Sequence, residues 1–384
     1  MRVLIVTSLY NPYILGGAEI SSQILSENLA KKGIQVDVLT IGKENIIEVM
    51  NLVKVERTNV VKENEDILTG TEFKGIRTKF KHRIGVYFST KMFNFFYNYF
   101  EKNNYDLIHV SNPMRGFYPH MCWKAANKLR IPVVQSIRDT SFLMEYEGNN
   151  PIINLYKKSL RKANIYYLNK YTTQIHFPSN FIKELFEKEG LRKNGTVIYN
   201  AVEDVNINKD IKKKNQIIYV GRLSEKKGVY DLIKIFKELE DKSYSLVLIG
   251  NEESSIGPMH NVEVIPWLNI KEVYKRISES KVLVLPSKEQ EAFGRTLLEG
   301  ILNHTLVIGR KIGAIPEILN FDDRYLFLSE SEFKTKLTRV LKLKPKFYNE
   351  DLLRMQGSME KFTVDNHINS FINLYEKVIS GSIN

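Results

Sequence analysis

Glu291 and Glu299 stand eight residues apart, just beyond the apolar run 282–285. On one helix that offset is about 12 Å of rise and about 80° of rotation, so the two carboxylates cannot grip one atom. They can hold two ends of one ligand. A helix beginning near Phe293 and Gly294 brings its free backbone N–H groups between them, where the positive end of the helix dipole suits a phosphate. A sugar nucleotide has that layout: ribose at one end, sugar at the other, phosphate in the middle. An isolated helix glutamate is usually just solvated, so position must carry the reading.

Two other turns share that position, after an apolar run and before a helical pattern. Gly221-Arg222-Leu223-Ser224-Glu225-Lys226-Lys227-Gly228 brackets cations with glycines. The Arg222 guanidinium is a planar fork suited to phosphate oxygens, and Lys227 is a mobile point charge. Leu15-Gly16-Gly17-Ala18-Glu19 opens a helix with two residues that let backbone amides approach an anion. It is neither a GxGxxG fingerprint nor a Walker loop.

These turns need strands and helices to hold them. Short β-branched runs are predicted as strands over 3–7, 36–40, 107–110, 133–136, 174–177 and 196–199, then again over 217–220, 245–249, 262–265 and 282–285. Amphipathic stretches between them predict helices at 19–32, 230–239 and 270–279, so the chain reads as two doubly wound α/β halves with buried parallel strands. The polar stretch 203–215 is the expected linker. Residues 1–203 then form one domain, 204–363 a second, and a last helix over 364–379, within 364–384, packs back towards the first. The order of elements in 41–105 is not readable.

Composition bounds the answer. The chain has 384 residues, 43% hydrophobic and 26% charged, which suits two globular domains and excludes disordered or collagenous classes. One cysteine, Cys122, forbids an intrachain disulfide and points to a reducing cytoplasmic setting. No run approaches the roughly 18 apolar residues of a membrane span. The 56 basic and 44 acidic residues leave +12, which favours an anionic partner, but no RNA-binding aromatic motif accompanies the basic clusters, so nucleic acid is not expected. No compact carboxylate or histidine cluster asks for a metal.

Glu291 to Glu299 resembles the E-x7-E motif of retaining glycosyltransferases of family 4. Gly16-Gly17-Ala18-Glu19 resembles that family's N-terminal glycine loop, Gly221-Arg222 through Lys227-Gly228 its donor phosphate motif, and Gly313-Ala314-Ile315-Pro316-Glu317 the segment following E-x7-E. The resemblance covers nearly the whole chain. It implies a GT-B fold, two Rossmann-like domains facing a central cleft, with an acceptor-binding first domain and a nucleotide-sugar donor domain second. It implies that Glu299 bonds the ribose hydroxyls, Glu291 the transferred sugar, and the amides of Phe293 to Thr296 sugar hydroxyls and phosphate. Arg222 and Lys227 then neutralise the leaving diphosphate, with Gly16 and Gly17 touching the same phosphates, and neither metal nor other cofactor is needed.

One position departs from the pattern. Many members carry a histidine just after the strand at 133–136, where this chain has Ile137-Arg138-Asp139. Arg138 is always charged, so it can orient substrate or balance phosphate but cannot shuttle protons. His109 is the nearest alternative acceptor contact, although a strand histidine is more often packed. The implied donor is a nucleotide-diphosphate sugar, most simply a UDP-sugar with its base near Ile265, Pro266 and Trp267, and the implied acceptor a saccharide or lipid-linked saccharide of surface polysaccharide. Cations and aromatics interleaved over 73–100, among them Lys79, Lys81 and Arg83, suit a peripheral contact with an anionic membrane as well as a domain core. A GT-B sugar-nucleotide epimerase or a silent GT-B scaffold shares the fold; release of sugar with and without acceptor separates them.

Overall fold

A computed structural model describes residues 1–61, 64–69, 87–112, 116–144, 150–192, 195–203, 211–251, 256–319 and 322–382. Most of the expected linker and the basic residues at 74–83 lie outside the described residues. The chain divides into two compact units, Met1–Tyr199 with Val364–Asn384, and Asn200–Thr363.

Unit 1 runs β1 (Arg2–Thr7), α1 (Gly17–Lys31), β2 (Gln35–Ile41), β3 (Ile46–Met50), β4 (Val53–Thr58), α2 (Asn64–Thr69), α3 (Thr90–Asn103), β5 (Leu107–Asn112), α4 (Pro119–Lys128), β6 (Val133–Ser136), α5 (Pro151–Tyr171), β7 (Gln174–Phe177), α6 (Asn180–Lys188) and β8 (Thr196–Val197). Its sheet has the order β3-β4-β2-β1-β5-β6-β7-β8. Among the described residues only the β3–β4 pair of this sheet is antiparallel. That hairpin turns through Asn51 and Leu52, both at positive φ. Asn favours such a two-residue turn and Leu does not, and β3 leaves Ile47 and Val49 exposed, so neither turn chemistry nor alternation marks this segment. The aromatics of α3 divide by helical spacing: Met92, Phe96 and Phe100 are buried, whereas Phe93 and Phe95 are half-buried.

Unit 2 runs β9 (Gln216–Val220), α7 (Val229–Lys237), β10 (Ser245–Ile249), β11 (Val262–Ile265), α8 (Ile270–Glu279), β12 (Val282–Leu285), α9 (Arg295–Leu302), β13 (Leu306–Arg310), α10 (Ile315–Leu319), β14 (Leu326–Phe327), α11 (Glu330–Leu341) and α12 (Pro345–Gly357). All of its strand pairs are parallel, in the order β11-β10-β9-β12-β13-β14. This is the Rossmann order, with connections reversing direction between β9 and β12. Ligands of such sheets bind at the carboxyl ends of the strands flanking that reversal.

The last helix, α13 (Val364–Ile379), belongs to unit 1. Ile368, Phe371, Leu374, Tyr375 and Val378 share a core with Val3 and Ile5 of β1 and Leu25 and Leu29 of α1. Each such side chain contributes about 1.5–3 kcal/mol on burial, so α13 is integral to that unit.

Candidate functional site

The turns after β9 and β12 meet at the reversal in unit 2. Gly228 makes the meeting possible. It has φ 71°, and a Cβ there would lie 2.1 Å from the carbonyl oxygen of Pro286, so any other residue would be strained and would push the two turns apart. The amide of Lys288 donates to the carbonyl of Lys226 at 2.8 Å, tying the same turns together.

Between them Lys227 reaches Glu291 Oε1 at 2.8 Å and Glu289 Oε1 at 2.7 Å. Burial pulls the Lys227 ammonium down, but the attraction of Glu291 and Glu289 outweighs it, leaving its pKa above the ordinary value and the side chain charged. Two carboxylates against one ammonium leave this cluster short of positive charge. Arg222 lies on the same turn, exposed and without an ion pair among the described residues. Its carbonyl accepts from the Tyr219 hydroxyl at 2.8 Å, which fixes the backbone while leaving the guanidinium available.

Glu291 precedes α9 rather than sitting on it. The segment after β13 holds it in place, because the amide of Ala314 donates to the Glu291 carbonyl at 2.8 Å. Gly313 makes that approach at φ 57°, where a Cβ would come within 2.4 Å of the same oxygen. Helix α9 then starts at Arg295, capped by Gly294 at φ 93°. Phe293 is buried edge-on against Phe362, with ring centroids 5.9 Å apart, and Thr296 lies in the first turn. Glu299, one turn after Arg295, accepts from its Nε at 2.9 Å, an i,i+4 pair that is nearly buried. Burial pushes the Glu299 carboxyl up, and Arg295 opposes the shift.

The structure therefore brings Lys227 and Glu291 into contact and pairs Arg295 with Glu299. Two partners were not singled out from sequence. Glu289, two residues before Glu291 in the turn after β12, meets the same ammonium. Asp231 holds both Lys288, at 2.7 Å, and Arg310, at 3.1 Å, bracing the β9, β12 and β13 ends. Trp267, after edge strand β11, is 46% exposed.

In unit 1 the Gly16-Gly17 loop begins α1 after β1, and the buried Glu19 carboxyl lies beside it, with Oε2 3.8 Å from where a Cβ on Gly16 would stand. Burial pushes that carboxyl up, and the backbone of its own turn and the charge of Arg138 oppose the shift. Arg138 donates to Ser111 Oγ at 3.2 Å, and Ser111 shares a 2.6 Å hydrogen bond with Ser22 of α1. His109, weighed as packed against an acceptor contact, is packed. Its Nδ1 lies 2.5 Å from the Tyr375 hydroxyl and its Nε2 2.6 Å from Ser136 Oγ, in full burial. Ser136 continues to His176 Nδ1 at 2.7 Å, whose Nε2 meets the Ile198 carbonyl at 2.9 Å. Burial, then Arg138, holds both imidazoles well below the ordinary pKa, so they are neutral. Cys122 is likewise buried, which pushes its thiol up and away from reactivity.

Among the described residues no group of three metal-ligating side chains converges, and no helix is long and apolar enough to cross a membrane.

Two family models match, Glycosyltransferase Family 4 over residues 15–205 and Glycosyl transferases group 1 over residues 202–352. An uncharacterized 42.6 kDa protein in the cps region of Klebsiella pneumoniae is 26% identical over 350 residues, covering 86% of this chain and 90% of that one. The capsular polysaccharide biosynthesis glycosyltransferase CapM of Staphylococcus aureus is 27% identical over 165 residues, 40% of this chain and 42% of its own. Among solved structures, Anabaena HepE in complex with UDP and glucose aligns with a TM-score of 0.71 at 14% identity, covering 98% of this chain and 99% of that one. At that identity the likeness speaks for fold alone, and the fold is GT-B.

Proposed function

This chain belongs to the glycosyltransferases of family 4 and group 1, and we propose that it moves a sugar from a nucleotide-diphosphate donor to a saccharide acceptor with retention of anomeric configuration. The observation that carries the reading is the contact of Lys227 with Glu291 at the strand reversal of unit 2, where parallel sheets take nucleotides. In this proposal Glu299 bonds the ribose hydroxyls, Glu291 the transferred sugar, and the amides of Phe293 to Thr296 sugar hydroxyls and phosphate. The bond between the sugar C1 and the diphosphate oxygen breaks and its electron pair leaves with the diphosphate, while an acceptor hydroxyl oxygen bonds to C1 on the same face and gives its proton to the departing diphosphate oxygen. Arg222 and Lys227 stabilise the charge that develops there, an effect of about 3–4 kcal/mol per well-placed group in preorganised sites. Because these cations supply that charge, the reaction needs no metal.

UDP is the proposed nucleotide, on the support of the structural likeness to a UDP-binding protein. Surface polysaccharide, with a saccharide or lipid-linked saccharide acceptor at the cytoplasmic face of a membrane, is the proposed setting, supported by the likeness to a capsular polysaccharide glycosyltransferase. Gly16, Gly17 and Arg138 are assigned to the phosphate and acceptor side. The experiment is transfer from a panel of nucleotide sugars in excess chelator, with the product linkage read by NMR. Retained configuration and persistent activity are expected. An inverted linkage, or loss of activity reversed by magnesium, contradicts the proposal.

A further inference from the structure

Helix α5 is the one element of unit 1 whose sequence bears five cations and no Asp or Glu, and its first turn is apolar and outside the core. Ile152 is 78% and Leu155 67% exposed. They begin a stripe that continues through Ser159, Lys162, Tyr166 and Lys170, all exposed. At 100° per residue these six positions fall within an arc of about 80°, over about 27 Å of helix. The opposite side carries the contacts that fix the helix, with Asn164, Ile165 and Leu168 buried. The stripe is therefore a surface rather than a fraying end. Asn150 also caps the first turn, accepting from the amides of Ile152 and Ile153 at 3.0 and 3.2 Å, so that turn can leave water without stranding both donors.

We infer that this stripe docks unit 1 on the surface of an anionic phospholipid bilayer, with Ile152 and Leu155 at the acyl boundary and Lys158, Lys162 and Lys170 among the headgroups. Charge complementarity selects the occupant. Arg161 is neutralised by Glu189 at 2.6 Å, but Lys158 and Lys162 have no carboxylate partner among the described residues. Lys170 stays on the stripe, donating to the Tyr166 hydroxyl at 3.0 Å, and Lys162, Tyr166, Lys170 and Arg192 line a common groove whose one carboxylate, Glu189, is paired with Arg161. A protein groove that takes a helix reads apolar anchors repeated along its whole length. Here the apolar residues occupy one turn, and an aromatic with cations follows, the arrangement of an interfacial helix. The purpose of this surface rests on the proposed lipid-linked acceptor, but its existence does not.

The test is co-sedimentation of the full chain with phosphatidylcholine vesicles of graded phosphatidylglycerol content, without donor or acceptor. Binding is expected to rise with phosphatidylglycerol and fall with salt. Lys158→Glu with Lys162→Glu should weaken it about thirtyfold or more, since each surface-proximal cation is worth about fivefold. Ile152→Asp with Leu155→Asp should weaken it at least about tenfold. Unchanged melting curves and nucleotide binding confirm that the variants are folded. Independently, Leu155→Trp should show blue-shifted emission on anionic vesicles and quenching by brominated acyl chains. A wild type that stays in the supernatant at low salt, both paired variants binding as the wild type does, or an unshifted emission from the Leu155→Trp variant overturns the inference. So does a loss of binding confined to charge reversal at Lys79, Lys81 and Arg83. Failure of transfer with vesicle binding intact would instead count against the proposed reaction.

Discussion

Both units place polar side chains at the ends of parallel strands, yet they handle charge in opposite ways. In unit 2 the groups are ionised and paired with one another, Lys227 with Glu289 and Glu291, Lys288 and Arg310 with Asp231, Arg295 with Glu299. In unit 1 the chain Tyr375–His109–Ser136–His176–Ile198 is a line of neutral groups in full burial, each satisfied by the next. Neutral hydrogen-bonded groups suit a core, because they cost little desolvation once partnered. In the proposed reaction a diphosphate takes Lys227 from its carboxylates, whereas nothing from outside can take His109, fully buried, from Tyr375. On that proposal the difference separates polar residues that serve a ligand from those that serve the fold.

The largest expected effect is on acid stability and belongs to unit 1. His109 and His176 have folded pKa values well below 6.5, and burial takes His120 down to about 3. The unfolded chain binds protons near pH 6.5 that the folded chain refuses, so the stability these residues confer is complete above that pH and is lost as pH falls below it. Each costs about 1.4 kcal/mol per pH unit there, about 4 kcal/mol for the three. Hydrogen exchange at pH 5.5 against pH 7.5 should show β5 to β7 losing protection well before β9 and β12. Equal loss in both sheets breaks the contrast.

Next comes Lys227→Ala. Turnover should fall about a hundredfold or more, as for other preorganised charge-stabilising groups, with little change in melting temperature. If melting falls sharply and single-turnover transfer survives, Lys227 serves the fold. A smaller effect separates the two glutamates: Glu299→Gln should weaken nucleoside diphosphate binding about tenfold, and Glu291→Gln should lower turnover while leaving that affinity within about twofold. Titration calorimetry distinguishes them, and equal losses of affinity remove the division of roles. The smallest effect is Tyr375→Phe, which removes one buried partner of His109. About 1–3 kcal/mol of unit 1 stability should go, visible as a lowered melting midpoint, with nucleotide affinity unaltered.

Much of this contrast is legible in the amino-acid sequence, for reasons that differ between the units. Strand 282–285 is a continuous apolar run buried on both faces, so its bounds coincide with β12, and 133–136 and 245–249 coincide with β6 and β10 although Gln135, Ser136 and Ser245 are polar. Gly228 and Gly313 mark turns because nothing else tolerates their backbone at such close approach. The hairpin β3–β4 is not legible, since Asn51 and Leu52 are a poor turn pair and β3 exposes apolar side chains. Nor is the burial of Glu19, which depends on what packs around the start of α1. Arg295 and Glu299 have a visible i,i+4 spacing, but that such a pair is buried depends on what α9 packs against. His109 has both nitrogens committed to residues 27 and 266 positions away, separations at which local pattern carries no signal.

The most direct test of donor binding at the strand reversal of unit 2 is titration calorimetry of UDP into the full-length chain, its Glu299→Gln and Arg222→Ala variants, and Tyr375→Phe. One UDP per chain is expected for the wild type, weakened about tenfold in each of the first two variants, which lose a ribose partner and an unpaired phosphate cation. Tyr375→Phe should bind as the wild type does. If UDP does not bind, or binds Glu299→Gln and Arg222→Ala with undiminished affinity, the charged strand ends of unit 2 are not its donor site.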